Sequence, residues 1–142
     1  MRTQDALRTS RQRTMDPQDE TPKDGPLILL VEDDASVRQA LMFALQIEGY
    51  RIEVHETADA LLGAAEPPAA ACLVLDQNLP GTLGVDALEV LRGRGMTCAA
   101  ILITTQPKPE VRAAAERLGA RIVEKPLLGG ELPLAIRELL GG

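Results

Sequence analysis

From Leu27 onward, short apolar runs alternate with stretches of helical spacing. Leu27-Ile28-Leu29-Leu30-Val31 is continuous and β-compatible, which predicts a strand covered on both faces. Val37, Leu41, Ala44 and Leu45 then recur at helical spacing, and Gly49 predicts the stop. A second strand over Arg51 to Val54 precedes a helix through Ala58, Leu61 and Leu62, broken at Pro67-Pro68. Cys72-Leu73-Val74-Leu75 is the third run, followed by a loop with Pro80 and Gly81 and a helix around Val85, Leu88 and Leu91. Ala99 to Ile103 is the fourth, with a helix through Val111, Ala114, Ala115 and Leu118 closed by Gly119. The fifth is short, Arg121 to Val123, and the last helix uses Leu132, Ala135, Ile136 and Leu139. Pro133 is tolerable there only in the first turn.

Five strand–helix units in sequence predict an α/β fold, a parallel sheet with helices on both faces. The chain has 142 residues, 45% apolar, which suffices for one globular core but is short for two. Residues 1–26 hold few large apolar groups and include Pro17, Pro22, Gly25 and Pro26, so they are expected to form a mobile tail, with residues 27–142 as the domain. Met15 is an alternative start. The tail carries five basic and five acidic side chains, so the net charge of −6 belongs to the remainder, with ten basic against sixteen acidic groups. That balance opposes general nucleic-acid binding. No apolar stretch approaches the roughly 18–20 residues of a membrane span, and no secretory signal is expected, since residues 1–13 lack an apolar run. Cys72 and Cys98 are too few for a disulfide framework or a zinc site and are expected to be small buried hydrophobes. The expectation is a soluble cytoplasmic domain.

In open parallel sheets, ligand chemistry gathers beyond the carboxyl ends of the strands. Glu32-Asp33-Asp34 follows the first strand, Asp76-Gln77-Asn78 the third, Thr104-Thr105 the fourth and Glu124-Lys125-Pro126 the fifth. Carboxylates converging on one rim repel one another and resist joint ionisation. A hard divalent cation relieves that repulsion, and magnesium takes oxygen ligands at about 2.0–2.1 Å while keeping several waters. Lys125 adds a second positive centre and Thr104 a hydroxyl donor, a set suited to a phosphoryl group.

The segments LILLVEDD (27–34), LVLDQNLPG (73–81), ILITT (101–105) and IVEKP (122–126) resemble the receiver domain of two-component response regulators, across about 116 of 142 residues. The resemblance implies a flavodoxin-like (βα)5 doubly wound sheet with strand order 2-1-3-4-5. It implies that Asp76 is the phospho-acceptor. Mg²⁺ is then held by Asp33, Asp76 and the main-chain carbonyl of Asn78, with Glu32 at the first acidic position. Lys125 pairs with the carboxylate at rest and with a phosphoryl oxygen afterwards. Thr104 donates to another phosphoryl oxygen and moves toward it. Lys125-Pro126 resembles the family's cis bond, which only X-Pro makes inexpensive.

The expected function is a stand-alone phospho-receiver rather than a turnover enzyme. It takes phosphate from a sensor histidine kinase or phosphotransfer protein and signals by contact with a downstream protein. That contact involves the fourth helix, fifth strand and fifth helix. No output domain, direct DNA binding or membrane contact is expected. The alternative is a receiver-fold interaction module that works without phosphate. An aspartate-nucleophile phosphatase wants a second Asp where Asn78 stands, and a flavodoxin-like FMN site is opposed by Glu32-Asp33-Asp34. Two positions depart from the family pattern. Ile122 occupies a place usually aromatic, which puts aromatic-switch coupling in doubt, and Thr105 stands where Ala or Gly is usual. Asp34 is read as a helix N-cap and His55 as a surface residue on an exposed strand.

Overall fold

The computed structural model describes residues 25–64, 69–127 and 129–141. The tail expected over residues 1–26 therefore lies outside the described residues except for Gly25 and Pro26, as do Pro67 and Pro68. Gly25 and Pro26 are tied to the sheet: their carbonyls accept from Arg51, at 2.7 Å from Nε and 2.9 Å from the main-chain N–H.

Ten elements alternate strictly: β1 Leu27–Val31, α1 Ala35–Ile47, β2 Arg51–His55, α2 Ala58–Leu62, β3 Cys72–Asp76, α3 Gly84–Gly93, β4 Ala99–Thr104, α4 Pro109–Arg117, β5 Ala120–Glu124 and α5 Glu131–Leu139. The strands form one parallel sheet in the order β2-β1-β3-β4-β5. Strand placement agrees with the apolar runs. β2, β3, β4 and β5 each extend a residue or so past them, because main-chain pairing continues where the side chains turn polar.

Both faces are covered, which is why β1 and β3 read as unbroken apolar runs. Leu41 and Leu45 of α1 and Leu132, Ala135 and Ile136 of α5 pack on Ile28, Leu30, Val74, Ile101 and Ile103. The opposite face carries α2, α3 and α4 through Leu61, Leu88, Leu91 and Ala115, set against Leu29, Leu73, Leu75 and Leu102. Asp34 caps α1 by accepting from the Val37 N–H at 3.1 Å, as its sequence position implied. Gly49 and Gly119, at φ +96° and +73°, end the turns after α1 and α4 where a side chain would be strained. Pro133 falls in the first turn of α5. β2 is half-buried at every position rather than exposed, because Ile52 and Val54 reach the α1-side core, and His55 pairs with Glu53 at 3.0 Å. Cys72 is fully buried and its thiol is pushed up to about 12 by that burial; Cys98 is only half-buried. Among the described residues no helix is long and apolar enough to cross a membrane.

At the end of the sheet opposite the acidic rim, one guanidinium gathers three loop carbonyls. Arg92 donates from Nε to the Leu118 carbonyl at 3.0 Å and from Nη1 to those of Met96 and Cys98 at 3.0 and 2.7 Å. Three loop carbonyls lose their partner if it is removed. Arg92→Met is expected to cost about 2–4 kcal/mol, read from urea unfolding. A loss below about 0.5 kcal/mol contradicts this bracing role.

Candidate functional site

Strand order reverses at β1, since β2 lies on one side of it and β3, β4 and β5 on the other. The crevice beyond the carboxyl ends of β1 and β3 is therefore where polar chemistry collects. Val31 is in register with Leu75, so Glu32 and Asp76 follow as neighbours on adjacent strands. Asp76 is in turn level with Ile103, which puts Thr104 one residue further along β4. Thr104 is level with Glu124, and Lys125 comes next.

Chain positions far apart thus meet. Carboxylate oxygens of Glu32, Asp33 and Asp76 all lie within 4.8 Å of one another. Asp76 is 3% exposed, yet both its oxygens are engaged: Oδ2 accepts from Lys125 Nζ at 3.0 Å and Oδ1 from the Asn78 N–H at 3.1 Å. Lys125 crosses from the end of β5, past β4, to make that contact, and the Lys125-Pro126 bond is cis. Thr104 is buried and its carbonyl accepts from the Lys125 N–H at 2.8 Å. Asn78 is exposed on the loop after β3, and Asp33 is exposed at the crevice mouth.

Glu32 is the least satisfied member. It is 2% exposed; Oε2 accepts from the Asp34 N–H at 3.2 Å, while Oε1 is buried without a hydrogen-bond partner. Its carboxyl is pushed up to about 7, chiefly by desolvation, with the Asp34 N–H opposing and the Asp76 charge adding to the rise. A buried carboxylate with an orphaned oxygen, beside two others, fits a site for a hard cation with all-oxygen ligands.

Other supports were not legible from the strand-end pattern. Gln77 is buried, its Oε1 accepts from the Val85 N–H at 2.8 Å and its carbonyl from the Gly84 N–H at 3.0 Å. It thereby welds the start of α3 to the residue after Asp76. Asp59, in the first turn of α2, accepts from Thr82 Oγ1 at 2.6 Å and braces the far end of that loop. The polar position of Gln77 between Asp76 and Asn78 was its one signal in the sequence; nothing local marked Asp59.

A groove of about 520 Å³ opens beside the site, lined by Val37, Ala40 and Leu41 of α1 with Thr105, Lys125 and Leu127. Ile122 is half-buried and packs on the core of the α2–α4 side.

A family model of the response regulator receiver domain matches residues 28–137. Transcriptional regulatory protein FixJ of Azorhizobium caulinodans is 34% identical over 113 residues, covering 79% of this chain and 54% of FixJ. Response regulator MprA of Mycobacterium tuberculosis is 34% identical over 116 residues, covering 80% of this chain and 50% of MprA. The chain spans about half the length of these curated relatives. The crystal structure of a CheY-like receiver domain protein from Methanospirillum hungatei aligns with a TM-score of 0.76 at 26% identity, covering 82% of this chain and 94% of that one. Sheet order, acidic rim and sequence matches agree, and the chain belongs to the response regulator receiver-domain family.

Proposed function

We propose that this chain accepts a phosphoryl group on Asp76 from a phosphohistidine of a sensor histidine kinase or phosphotransfer protein. The observation that carries the reading is the Lys125 ammonium seated 3.0 Å from Asp76 Oδ2 inside a cluster of three carboxylates. Asp33, Asp76 and the Asn78 carbonyl would hold Mg²⁺, with Glu32 Oε1 turned to it or to one of its waters. Bound there, the cation supplies neutralisation of the crowded negative charge.

In the transfer, an oxygen of Asp76 forms a bond to phosphorus. The P–N bond of the donor breaks, and its electron pair returns to the imidazole ring. Positioning and charge dominate such a step. Lys125 moves from the carboxylate to a phosphoryl oxygen, and the Thr104 hydroxyl donates to another. The groove along α1 leaves one flank of Lys125 open to a donor protein. The added charge, close to two units, then redistributes contacts around α4, β5 and α5, through which a downstream protein is engaged. With ten basic against sixteen acidic groups, residues 27–142 are proposed to make no direct contact with DNA. They form the signalling domain, preceded by the segment 1–26, and act as a cytoplasmic module rather than a turnover enzyme.

Incubation with acetyl phosphate and Mg²⁺ is expected to add the mass of one phosphoryl group to the intact protein. Asp76→Asn should abolish that gain. A gain that persists in Asp76→Asn, or none in either protein, overturns the reading. A second reading, a module that binds its partner without phosphate, is favoured by Ile122, which lacks a ring to swing between buried and exposed positions; the absence of any gain supports it. Thr105 lines the groove beside Lys125, and we propose that its β-branched side chain obstructs water approaching the acyl phosphate. Thr105→Ala should therefore lose phosphate a few-fold faster, followed by mass after removal of the donor. Unchanged or slower decay contradicts the obstruction.

A further inference from the structure

We propose that Arg38 is a positioning residue for the acidic rim, holding the turn between β1 and α1 so that Glu32 and Asp33 present their carboxylates together. The inference rests on the reading above that this rim binds a divalent cation.

Arg38 sits at the fourth position of α1, near the helix end where the backbone dipole disfavours a cation. Its place there needs another reason, and its contacts supply one. The side chain is only 15% exposed. Nη1 donates to the Glu32 carbonyl at 2.9 Å and leans toward that of Asp33 at 3.5 Å. Nη2 is 3.9 Å from Glu56 Oε2, but Glu56 is 76% exposed and such a pair contributes little.

The Glu32 main chain is therefore gripped from two sides. Its N–H donates to the His55 carbonyl of β2 at 3.1 Å, and its carbonyl accepts the Arg38 guanidinium. With the backbone fixed, the Glu32 side chain stays in the cluster although Oε1 has no partner there. Carboxylates this close push the turn open, and Arg38 resists that opening. The charges that reach the Glu32 carboxyl are those of Asp76 and Lys125, whereas Arg38 Nη1 is spent on main-chain oxygens.

Position and charge make opposite predictions for removal of this side chain. If Arg38 acted as a nearby positive charge, losing it would tighten cation binding, because a repulsive neighbour has gone. If it braces the turn, losing it weakens binding, since the ligands are no longer pre-arranged.

The experiment is calorimetric titration of Mg²⁺ alone into the metal-free full chain, as wild type, Arg38→Met and Arg38→Lys. Thermal unfolding in chelator and amide hydrogen exchange of Asp33 and Asp34 accompany it. Arg38→Met is expected to remain folded, to bind Mg²⁺ about tenfold more weakly and to exchange those two amides faster without metal. Arg38→Lys keeps the charge but loses the planar fork, and should fall between Arg38→Met and wild type. Equal or tighter binding by Arg38→Met overturns the proposal. So does weakening that tracks only the unfolded fraction. Should Arg38→Met fail to fold, affinity of Arg38→Lys equal to wild type overturns it, and a loss of threefold or more supports it. Absence of Mg²⁺ binding by wild type overturns the cation reading itself, a result distinct from any difference among the variants.

Discussion

Glu32→Gln is expected to melt roughly 5–10 °C higher than wild type at pH 8 in chelator, while binding Mg²⁺ far more weakly. Glu32 is buried with Oε1 unpartnered, and its carboxyl is pushed up to about 7, chiefly by desolvation and further by the Asp76 charge. Keeping that group ionised inside the fold costs roughly 3 kcal/mol. A neutral amide of the same shape avoids this cost. It can still accept from the Asp34 N–H, and its NH₂ can donate to a neighbouring carboxylate. The pH dependence follows from the direction of the shift. A folded-state value above the unfolded one means the folded protein binds the extra proton. The associated stability is complete below about pH 4.5 and is lost as pH rises through about 7. The gap between variant and wild type should thus be near zero at pH 4.5 and widest at pH 8. Added Mg²⁺ should narrow it by stabilising wild type alone, in proportion to RT ln(1 + [Mg²⁺]/Kd). Wild type melting at or above the variant at pH 8 without metal would show that the rim carries no such strain.

How much of this was readable in the chain depends on which residues lie next to one another in sequence. Leu27 to Val31 and Cys72 to Leu75 announce buried strands because both their faces are covered, and Asp33, Asp76, Thr104 and Lys125 fall within two residues of the end of such runs. Once the strands are ordered, their ends share a rim, so the candidate site could be assembled from four short segments. Three features had no such marker. The Gln77 amide is turned to the start of α3, eight residues on, a contact that exists only once the loop between them has closed. Arg38 has the sequence signature of an ordinary solvated helix charge, yet it points back over the preceding turn. The half-buried state of β2 depends on α1, a neighbour that a list of local hydropathies cannot place. Periodicity reports which face is apolar; it does not report how closely two backbones approach.

That close approach sets the second large effect. Gly84→Ala is expected to destabilise the protein by about 2–4 kcal/mol and to depress phosphoryl acceptance beyond the loss of folded molecules. A Cβ at Gly84 would stand 2.5 Å from the Asp76 carbonyl oxygen, 2.9 Å from Gln77 Cα and 3.0 Å from the Asp76 carbonyl carbon. All three are backbone atoms, so no side-chain rotation can relieve the contact, and either α3 or the end of β3 must shift. Gly84 is not needed here for an unusual φ; it is needed because the first turn of α3 rests directly on the strand end. Displacement stretches the Gly84 and Val85 hydrogen bonds to Gln77, at 3.0 and 2.8 Å, and with them the segment that carries Asp76 and Asn78. The last residue of the same helix provides the comparison. Nothing lies within 4 Å of a Cβ built on Gly93, so Gly93→Ala should be neutral or stabilise by up to about 1 kcal/mol through helix propensity. Urea unfolding of both variants, with phosphoryl incorporation measured per folded molecule, separates the two ends. If Gly84→Ala behaves like Gly93→Ala in both measurements, α3 does not buttress the acceptor as its backbone contacts imply.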